Sequence, residues 1–181
     1  MPQIGERVRE QETTVLIRPE RPDDVDAIDR LTVDAFEPQS FSDGSEAPII
    51  RSLRASGDLT LSLVAEEGGD LVGHVAFSPV TIDGSHDGWF GLGPISVRID
   101  RQRRGIGRAL VADGLRRLQD REARGCALIG DPNIYGRMGF TGNGPLSHQG
   151  LDRAIVQHLA FSGPSPSGEL RFAPAFDTAG H

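Results

Sequence analysis

The sequence predicts a single α/β domain in which helices flank a mixed, mostly antiparallel sheet. Its 181 residues suit one well-packed domain and are few for two. Apolar residues make up 37% and charged residues 25%, which is typical of a globular protein. The hydrophobic pattern alternates between strand and helix periods in the order β-α-α-β-β-β-α-β-(α)-β-β. We expect the domain to span residues 13–176, with a flexible N-terminus over 1–12 and a tail over 177–181.

The first half of the chain contains a strand, two helices and a hairpin. "TTVLIRP" (13–19) predicts a strand that ends at a proline, and Asp23 or Asp24 then caps a helix. "APIIRSLRAS" predicts a second helix that ends near Gly57. In "LTLSLVAEEGGDLVGHVAFSPVTI", two apolar runs flank a Gly-Gly pair, which predicts a β-hairpin. The first helix would bury residues that recur at roughly helical spacing: Val25, Ile28, Leu31, Val33 and Phe36.

The second half predicts an interrupted strand, a long helix and three further strands. "WFGLGPISVRI" contains Gly91, Gly93 and Pro94, which indicate a bulge, a kinked edge or a ligand close to the backbone. From Gly105 the pattern becomes helical, and Gly125 would follow the helix as its C′ residue. "CALIG", "DRAIVQHLAF" and "GELRFAPAF" predict strands, and "DPNIYGRMGF" a turn into a short helix or loop. The apolar face of the long helix comprises Ile106, Leu110, Val111, Leu115 and Leu118.

Composition excludes several classes of protein. No apolar run approaches the roughly 20 residues that span a bilayer, and the charged start does not resemble a signal peptide. Cys126 is the only cysteine, so no intrachain disulfide can form and the reducing cytoplasm is the expected compartment. Every basic residue is arginine, which rules out a lysine Schiff base or a lysine nucleophile.

Positive charge is concentrated in one segment of an otherwise acidic chain. The net charge is −7, yet residues 98–124 hold nine arginines and four acids, a net of +5. The remaining residues therefore carry −12. This distribution argues against a general nucleic-acid binder and indicates one local anion site.

That site is the strand-to-helix turn "RQRRGIGR". The first turn of a helix has unpaired N–H groups and the positive end of its dipole, and Gly105 and Gly107 leave its backbone uncovered. Arg103, Arg104 and Arg108 add charge, so the turn suits a phosphate or pyrophosphate. A Walker loop is excluded because it needs a lysine, and a leucine occupies the third glycine position of the dinucleotide fingerprint.

Two motifs together resemble a known family. "Q-x-x-G-x-G" (102–107), which follows the strand "PISV" and opens an amphipathic helix, resembles the pyrophosphate-binding motif of the GNAT superfamily of N-acetyltransferases. "GDPNIYGRMGF" resembles the next motif of that superfamily, in which a tyrosine, here Tyr135, precedes Gly-Phe by four residues. "GELRFAPAF" is similar to the last strand of one predicted-acetyltransferase subgroup, so the resemblance runs from about residue 15 to 176.

The resemblance implies an active site. In the family, the fourth strand splays from the fifth, and the pantetheine arm of acetyl-CoA lies in the gap. The resemblance places that arm on backbone groups of Ile95, Ser96 and Val97, and a backbone N–H near Val97 would polarise the acetyl carbonyl. It makes Tyr135 the general acid that protonates the departing thiolate, and Asn133 a cofactor contact. The pyrophosphate motif corresponds to Gln102, Arg103, Arg104, Gly105, Ile106, Gly107 and Arg108. No metal is implied.

The expected reaction moves an acetyl group directly from acetyl-CoA to a primary amine on a small molecule or peptide. A general base must deprotonate the amine, and the candidates are Glu66, Glu67, His74 and Asp131, of which His74 is chosen provisionally. Loops 37–46, 141–150 and 162–168 would line the acceptor pocket in this fold. The sequence is compatible with a homodimer. Neither a nucleic acid nor a membrane is an expected partner. The alternatives are a non-catalytic acyl-CoA-binding or sensory domain and, less favoured, a nucleotide- or RNA-binding module.

Overall fold

The computed structural model describes residues 14–177 of the chain. The predicted flexible segment 1–12 and residues 178–181 of the predicted tail lie outside the described residues. The strands are β1 (Val15–Pro19), β2 (Leu61–Glu67), β3 (Asp70–Pro79), β4 (Thr81–Ile82), β5 (Trp89–Val97), β6 (Gly125–Ile129), β7 (Leu146–Ser147), β8 (Val156–Ala160) and β9 (Gly168–Arg171). The α-helices are α1 (Val25–Phe36), α2 (Glu46–Ser56), α3 (Ile106–Asp120) and α4 (Pro132–Tyr135). Short 3₁₀ helices occupy Pro22–Asp24, Ile99–Arg101, Gly136–Met138 and Pro174–Phe176.

The strands form two sheets. The larger has the order β1-β2-β3-β5-β6-β8, in which only the β5–β6 pair is parallel. The predicted mixed, mostly antiparallel sheet with flanking helices is therefore confirmed. A smaller sheet has the order β4-β9-β7 and contains the strand predicted last in the chain. That strand does not extend the main sheet, and next to β8 the backbone of Thr141 exchanges two hydrogen bonds with His158.

The hairpin predicted from the Gly-Gly pair joins β2 to β3. Gly68 and Gly69 have φ angles of +59° and +87°, the left-handed values that a tight hairpin turn requires at both positions. Glu67 faces Asp70 directly across this turn. The second helix also ends as predicted, at the residue before Gly57.

Helix α3 covers one face of the main sheet. All five residues predicted for its apolar face are buried in one core cluster with β2, β3 and β5. Gly114 is buried on the same face, because a Cβ at this position would overlap the ring of Phe77 on β3. The close approach of α3 to the sheet thus depends on a glycine.

The predicted end of α3 is wrong. The helix ends at Asp120, and Glu122 takes the left-handed conformation with φ of +62°. Gly125 does not cap the helix but opens β6, where a Cβ would overlap the indole of Trp89. The glycine is therefore needed for packing rather than for a helix C-terminus.

The other face is covered by α1 and α2 on one side and by the small sheet on the other. Helix α1 buries Ile28, Leu31 and Thr32, but Val33, predicted to be buried, is 48% exposed. A helical turn places residues 28, 31 and 32 on one face and carries residue 33 beyond it. The Thr32 hydroxyl is satisfied by the Ile28 carbonyl oxygen at 2.8 Å.

A partly buried ion network ties α1 to the sheet. The Arg18 guanidinium on β1 donates to Asp24 at 2.7 Å and to Glu66 on β2 at 3.1 Å. Asp24 also accepts the backbone N–H of Arg21, although its side chain makes no capping bond to α1. The hydrogen bond from Arg18 holds the pKa of Asp24 below its usual value.

Between residues 14 and 177, none of the helices is both long and apolar enough to cross a membrane.

Candidate active site

Strand β5 leaves its parallel neighbour halfway along its length. β5 and β6 pair only through Trp89, Phe90 and Gly91, which face residues 125–127. On its other side, β5 stays paired with β3 as far as Val97. The backbone groups of residues 92–97 on the β6 side therefore have no strand partner, and an open cleft separates the two strands.

A bulge coincides with this separation. Ile95 faces Val75 and Leu92 faces Phe77, so β5 has one more residue than β3 in the interval. Gly93 and Pro94 occupy it, as their interruption of the strand pattern predicted. A bulge changes the direction in which the side chains of the following residues point, and here those residues border the cleft.

Side chains after the bulge alternate between the two faces of the sheet. Ile95 and Val97 pack in the core on the α3 side, next to Gly107 at the start of α3. Ser96 lies on the opposite face and is 4% exposed, and its hydroxyl has no hydrogen-bond partner among residues 14–177. The N–H of Arg98 donates to Val72 on β3, so the register directs the peptide groups of Ser96 to β3 and those of Ile95 and Val97 to the cleft.

The turn that follows β5 is closed by Gln102, whose side-chain amide donates to the carbonyl oxygen of Val97 at 3.1 Å. Arg101 is anchored by an ion pair with Glu67 at 2.9 Å. Arg103 has φ of +64° and Gly105 has φ of +83°. This left-handed backbone returns the chain to the end of β5 and starts α3 beside it.

The turn leaves a run of amides without partners. Over the described part of the chain, the N–H groups of Arg103, Arg104 and Gly105 find no acceptor, and the first helical bond recorded for α3 runs from Ala109 to Gly105. The amides of residues 106–108 form the first turn of the helix, where intrahelical acceptors are lacking. Nothing would lie within 4 Å of a Cβ at Gly105, so the backbone here is open to a ligand.

Three arginines surround these amides. Arg103 and Arg104 are exposed and make no ion pair within the described residues. Arg108 donates to the carbonyl oxygen of Arg137 at 3.3 Å, a contact that the sequence did not predict. Unpaired amides, a helix N-terminus and free guanidinium groups together make an anion site.

The cleft and the anion site lie in one line along β5 and its turn. The free strand edge can pair with a ligand that carries amide groups, and the turn can hold an anionic group at the end of that ligand. The bare backbone at Gly105 and Gly107 admits phosphate oxygens that a side chain would exclude. These residues therefore fit the amide-containing arm and the pyrophosphate of coenzyme A.

Tyr135 ends α4, the helix that follows β6, and is half-buried against the core on the α3 side. Its ring packs edge-on against Phe140, with centroids 6.2 Å apart, and Gly130 leaves space for it. The left-handed turn at Gly139 (φ +100°) brings Phe140 back, so that its N–H donates to the Tyr135 carbonyl oxygen. The Tyr-x-x-x-Gly-Phe spacing thus encodes a local packing unit that positions the tyrosine.

The Tyr135 hydroxyl is free to act on a ligand. It makes no hydrogen bond within residues 14–177. Burial raises the pKa of Tyr135 above its usual value, so the hydroxyl stays protonated at neutral pH. A protonated phenol at this point can donate a proton.

Asn133 is exposed in the same short helix, and its backbone N–H donates to the Asp131 side chain at 2.8 Å. Asp131 therefore caps α4, which explains why this acid stands just before Pro132. The Asn133 side chain makes no hydrogen bond over the described range, which leaves it available to a ligand.

His74 lies in the centre of the main sheet on β3, opposite Ser96. It is 0% exposed, and its Nε2 lies 2.8 Å from the Ser62 hydroxyl. Burial, and to a lesser extent the charge of Arg54, lowers the pKa of His74 to about 3. A sealed imidazole that resists protonation is poorly suited to take a proton from a substrate, which weakens its provisional choice as base.

The other acids considered as bases are engaged elsewhere. Glu66 accepts from Arg18, Glu67 pairs with Arg101, and Asp131 caps α4. Cys126 is buried in β6, where burial raises the pKa of its thiol, as suits a structural cysteine. The described residues include no group of three or more histidines, cysteines and acids that could hold a metal ion.

Comparison with known proteins identifies the family of this chain. The model of the acetyltransferase (GNAT) domain family matches residues 16–142. The chain therefore belongs to the GNAT acetyltransferase family, and it is an acyltransferase. It is 39% identical over 127 residues to the uncharacterised N-acetyltransferase YhbS of Escherichia coli (strain K12), covering 70% of this chain and 73% of the relative.

Two solved structures share both the fold and substantial sequence identity. A GNAT family acetyltransferase from Brucella melitensis, in complex with acetyl-CoA, is 45% identical with a TM-score of 0.82, covering 91% of this chain and 99% of that one. Escherichia coli YhbS in complex with CoA is 31% identical with a TM-score of 0.82, covering 91% of this chain and 93% of that one.

Proposed function

We propose that this protein transfers the acetyl group of acetyl-CoA directly to a primary amine. One observation carries the proposal: the edge of β5 after Gly91 has no strand partner, and the turn between β5 and α3 holds unpaired amides and free arginines. An extended ligand with amides along its length and a pyrophosphate at its end matches this arrangement. The complexes of the two similar structures with acetyl-CoA and with CoA support the same donor.

In this proposal the backbone of Ile95 and Val97, on either side of Ser96, binds the pantetheine amides, and residues 103–108 bind the pyrophosphate. Gln102 holds the turn in place through its bond to Val97. Asn133 contributes a further polar contact. Acetyl-CoA supplies an activated acyl group as a thioester, and the protein supplies position, a polarising backbone N–H near Val97 and proton transfer.

Tyr135 donates a proton to the departing thiolate. Its partly buried hydroxyl has no other partner, and its raised pKa keeps the proton on oxygen until the C–S bond breaks. The attacking amine must be neutral, so a general base removes its proton beforehand. The phenolate recovers a proton from the acetylated nitrogen as the amide forms.

The acceptor would bind on the sheet face opposite α3, between loops 37–46, 141–150 and 162–168. The acidic charge outside residues 98–124 favours a cationic amine, on a small molecule or a peptide, and the reducing cytoplasm suits the single buried cysteine. Neither a nucleic acid nor a membrane is part of this proposal.

The test is CoA release from acetyl-CoA in the presence of a panel of primary amines, with the N-acetylated product identified by mass spectrometry. We expect amine-dependent release by the wild-type protein and strongly reduced release by Tyr135→Phe. Acetyl-CoA binding without turnover on any amine, together with an unaffected Tyr135→Phe variant, would instead indicate a non-catalytic acyl-CoA-binding domain.

A further inference from the structure

Three half-buried aromatic side chains form a continuous row on the face of the main sheet opposite α3. His148 and Phe172 meet edge-on with ring centroids 5.2 Å apart, and Phe172 and Phe176 lie 5.2 Å apart at 41°. We call His148, Phe172 and Phe176 the aromatic row.

The aromatic row reaches β5 at the point where the cleft begins. A Cβ at Gly91 would lie 3.0 Å from the ring of Phe172, so this ring rests directly on β5. Gly91 is also the last residue of β5 that pairs with β6. The neighbouring Phe90 packs on the α3 side, which places the row on the opposite face.

The small sheet fixes the position of the row. Strands β7 and β9 are parallel, so His148 and Phe172, which follow these strands directly, emerge at the same edge. Phe176 packs with α2, together with Leu53 and Ala175. The row therefore bridges the small sheet and the helical layer, across the region where the acceptor would approach.

His148 has one nitrogen anchored and one nitrogen free. Its Nδ1 lies 2.7 Å from the carbonyl oxygen of Leu170, so Nδ1 carries the proton and donates. Its Nε2 then has a lone pair, makes no hydrogen bond with residues 14–177 and is not sealed from solvent. An imidazole held in this tautomer is prepared to accept a proton at Nε2.

The other histidines among the described residues lack either this combination or a place beside the cleft. His74 is sealed within the main sheet, and His158 is 8% exposed with an unpartnered, buried Nδ1. His86 does have its Nδ1 anchored, 3.0 Å from the Val80 carbonyl oxygen, and an aromatic neighbour, Phe90. However, His86 precedes β5 at the end remote from the cleft and borders a residue of the α3-side core.

We propose that His148 is the general base of this acyltransferase and takes the proton of the acceptor ammonium through one intervening water molecule. This inference rests on the proposed function. The N–H bond of the ammonium breaks, its electron pair stays on nitrogen, and the proton passes through the water to Nε2. The neutral amine attacks the thioester carbonyl, the C–S bond breaks, and His148 later releases its proton to solvent.

A carboxylate on β9 is hydrogen-bonded to the residues on either side of His148. Glu169 on β9 accepts from Ser147 at 2.7 Å and from the Gln149 backbone at 2.8 Å, and its carboxylate interacts electrostatically with His148. Arg171 also acts electrostatically on the Glu169 carboxylate. These two hydrogen bonds fix the segment that carries His148 against β9.

The experiment measures CoA release with spermidine, glycinamide and a short peptide as ammonium acceptors, and with hydroxylamine, which is largely neutral at neutral pH. His148→Gln should lower kcat/KM for the ammonium acceptors by roughly 10²-fold and leave hydroxylamine nearly unaffected. Added imidazole should restore activity to His148→Ala. His86→Gln is the matched control, because that histidine has the same type of anchor and aromatic contact, and it should behave as wild type.

Unfolding temperature and acetyl-CoA affinity are measured for every variant, so that a merely structural effect is recognised. Equal losses with ammonium acceptors and hydroxylamine, or unchanged activity in His148→Gln, would overturn the assignment while the proposed function stands. If the wild-type protein uses no amine, its slow acetyl-CoA hydrolysis is the readout, and His148→Gln should reduce it where His86→Gln does not. A wild-type protein that releases no CoA at all overturns the assignment together with the proposed function.

Discussion

Tyr135 shows how a single side chain can be both a packing residue and a reactive group. Its ring is held by Phe140 and by the space at Gly130, while its hydroxyl has no partner among the described residues. Burial raises the pKa of this hydroxyl, which keeps it protonated over the whole neutral range. Packing therefore preserves the proton that the proposed chemistry uses.

Replacing Tyr135 by Phe should lower kcat by about 10²-fold or more, because a general acid is lost while the ring packing is retained. The affinity for acetyl-CoA should stay nearly unchanged. Stopped-flow or steady-state CoA release measures the first quantity, and calorimetric titration the second.

The pH dependence of the same reaction reports the raised pKa. In the wild-type protein, the alkaline decline of kcat should lie above the ordinary titration range of tyrosine, since the folded protein resists loss of this proton. In Tyr135→Phe that decline should disappear. A variant with unchanged kcat across the pH range would remove Tyr135 from the mechanism.

At the scale of elements, the start of α3 joins the end of β5 to form the anion site. Arg103→Gln combined with Arg104→Gln should weaken acetyl-CoA binding by about 1–2 kcal/mol, because two exposed guanidinium groups near the pyrophosphate are lost. The loss should shrink as salt is added. Calorimetric titration at several salt concentrations measures the effect.

Arg116→Gln is the matched control, since Arg116 is exposed on the same helix and pairs with Asp113 at 3.0 Å instead of facing the turn. Equal weakening in this control would show that net charge, rather than the local site, attracts the ligand.

The packing of α3 against β3 makes a second prediction at this scale. Gly114→Ala should lower the free energy of unfolding by about 1–3 kcal/mol, because the new methyl group overlaps the buried ring of Phe77. Urea denaturation measures the change. Gln119→Ala, at an exposed position of the same helix, should change stability by less than about 0.5 kcal/mol.

Several elements could be predicted from the sequence because their signals are local. The Gly68-Gly69 hairpin and the apolar face of α3 follow from turn chemistry and periodicity within one segment. Val33 was wrongly predicted to be buried, because an approximate helical spacing does not fix which side of the apolar face a residue lies on. Gly125 was wrongly predicted to end α3, because a glycine after a helix can also be required for packing in the next strand. The small sheet could not be predicted, because β4 and β7 have two residues each. They are strands only through their pairing with β9, which is distant from β4 in sequence.

The candidate site also has parts that could be predicted from local sequence and parts that could not. The anion turn and Tyr135 follow one another closely in sequence, and the motifs that contain them are specific in combination. The aromatic row brings together residues after two short parallel strands with the last turn of the described chain, and no local pattern indicates that contact. The burial of His74 could not be predicted either, because the alternation of apolar and polar residues along a strand does not show which layer covers each face.

At the scale of the whole molecule, the network of Arg18, Asp24 and Glu66 joins the first strand, the first helix and the hairpin. The hydrogen bond from Arg18 depresses the pKa of Asp24, so its stabilising contribution is present above the unfolded-state pKa and is lost as pH falls through the folded-state value. Asp24→Asn should reduce stability at neutral pH by about 2 kcal/mol.

The free energies of unfolding of the wild-type protein and of Asp24→Asn should become equal at acidic pH. There the wild-type carboxyl is protonated and can no longer pair as an anion. Urea denaturation at a series of pH values measures both curves. A constant difference between them from neutral to strongly acidic pH would show that the charge of Asp24 does not contribute.

The overall charge of the molecule is consistent with one anionic and one cationic substrate. Positive charge is concentrated between residues 98 and 124, at the proposed seat of the donor, while the rest of the chain is acidic. The two substrates would therefore meet at β5 from oppositely charged surroundings, with the donor held along the strand and the amine approaching from the face of the aromatic row.

The measurement that tests the central claim most directly is thermal unfolding with acetyl-CoA, CoA and NAD at matched concentrations. Acetyl-CoA and CoA at about 100 times Kd should stabilise the protein by about 2.7 kcal/mol, a rise in Tm of roughly 5–10 °C. NAD, which has a pyrophosphate but no pantetheine arm, should give little or no rise. No rise with either CoA species, or an equal rise with NAD, would contradict the assignment of the β5 cleft and its amide turn to acetyl-CoA.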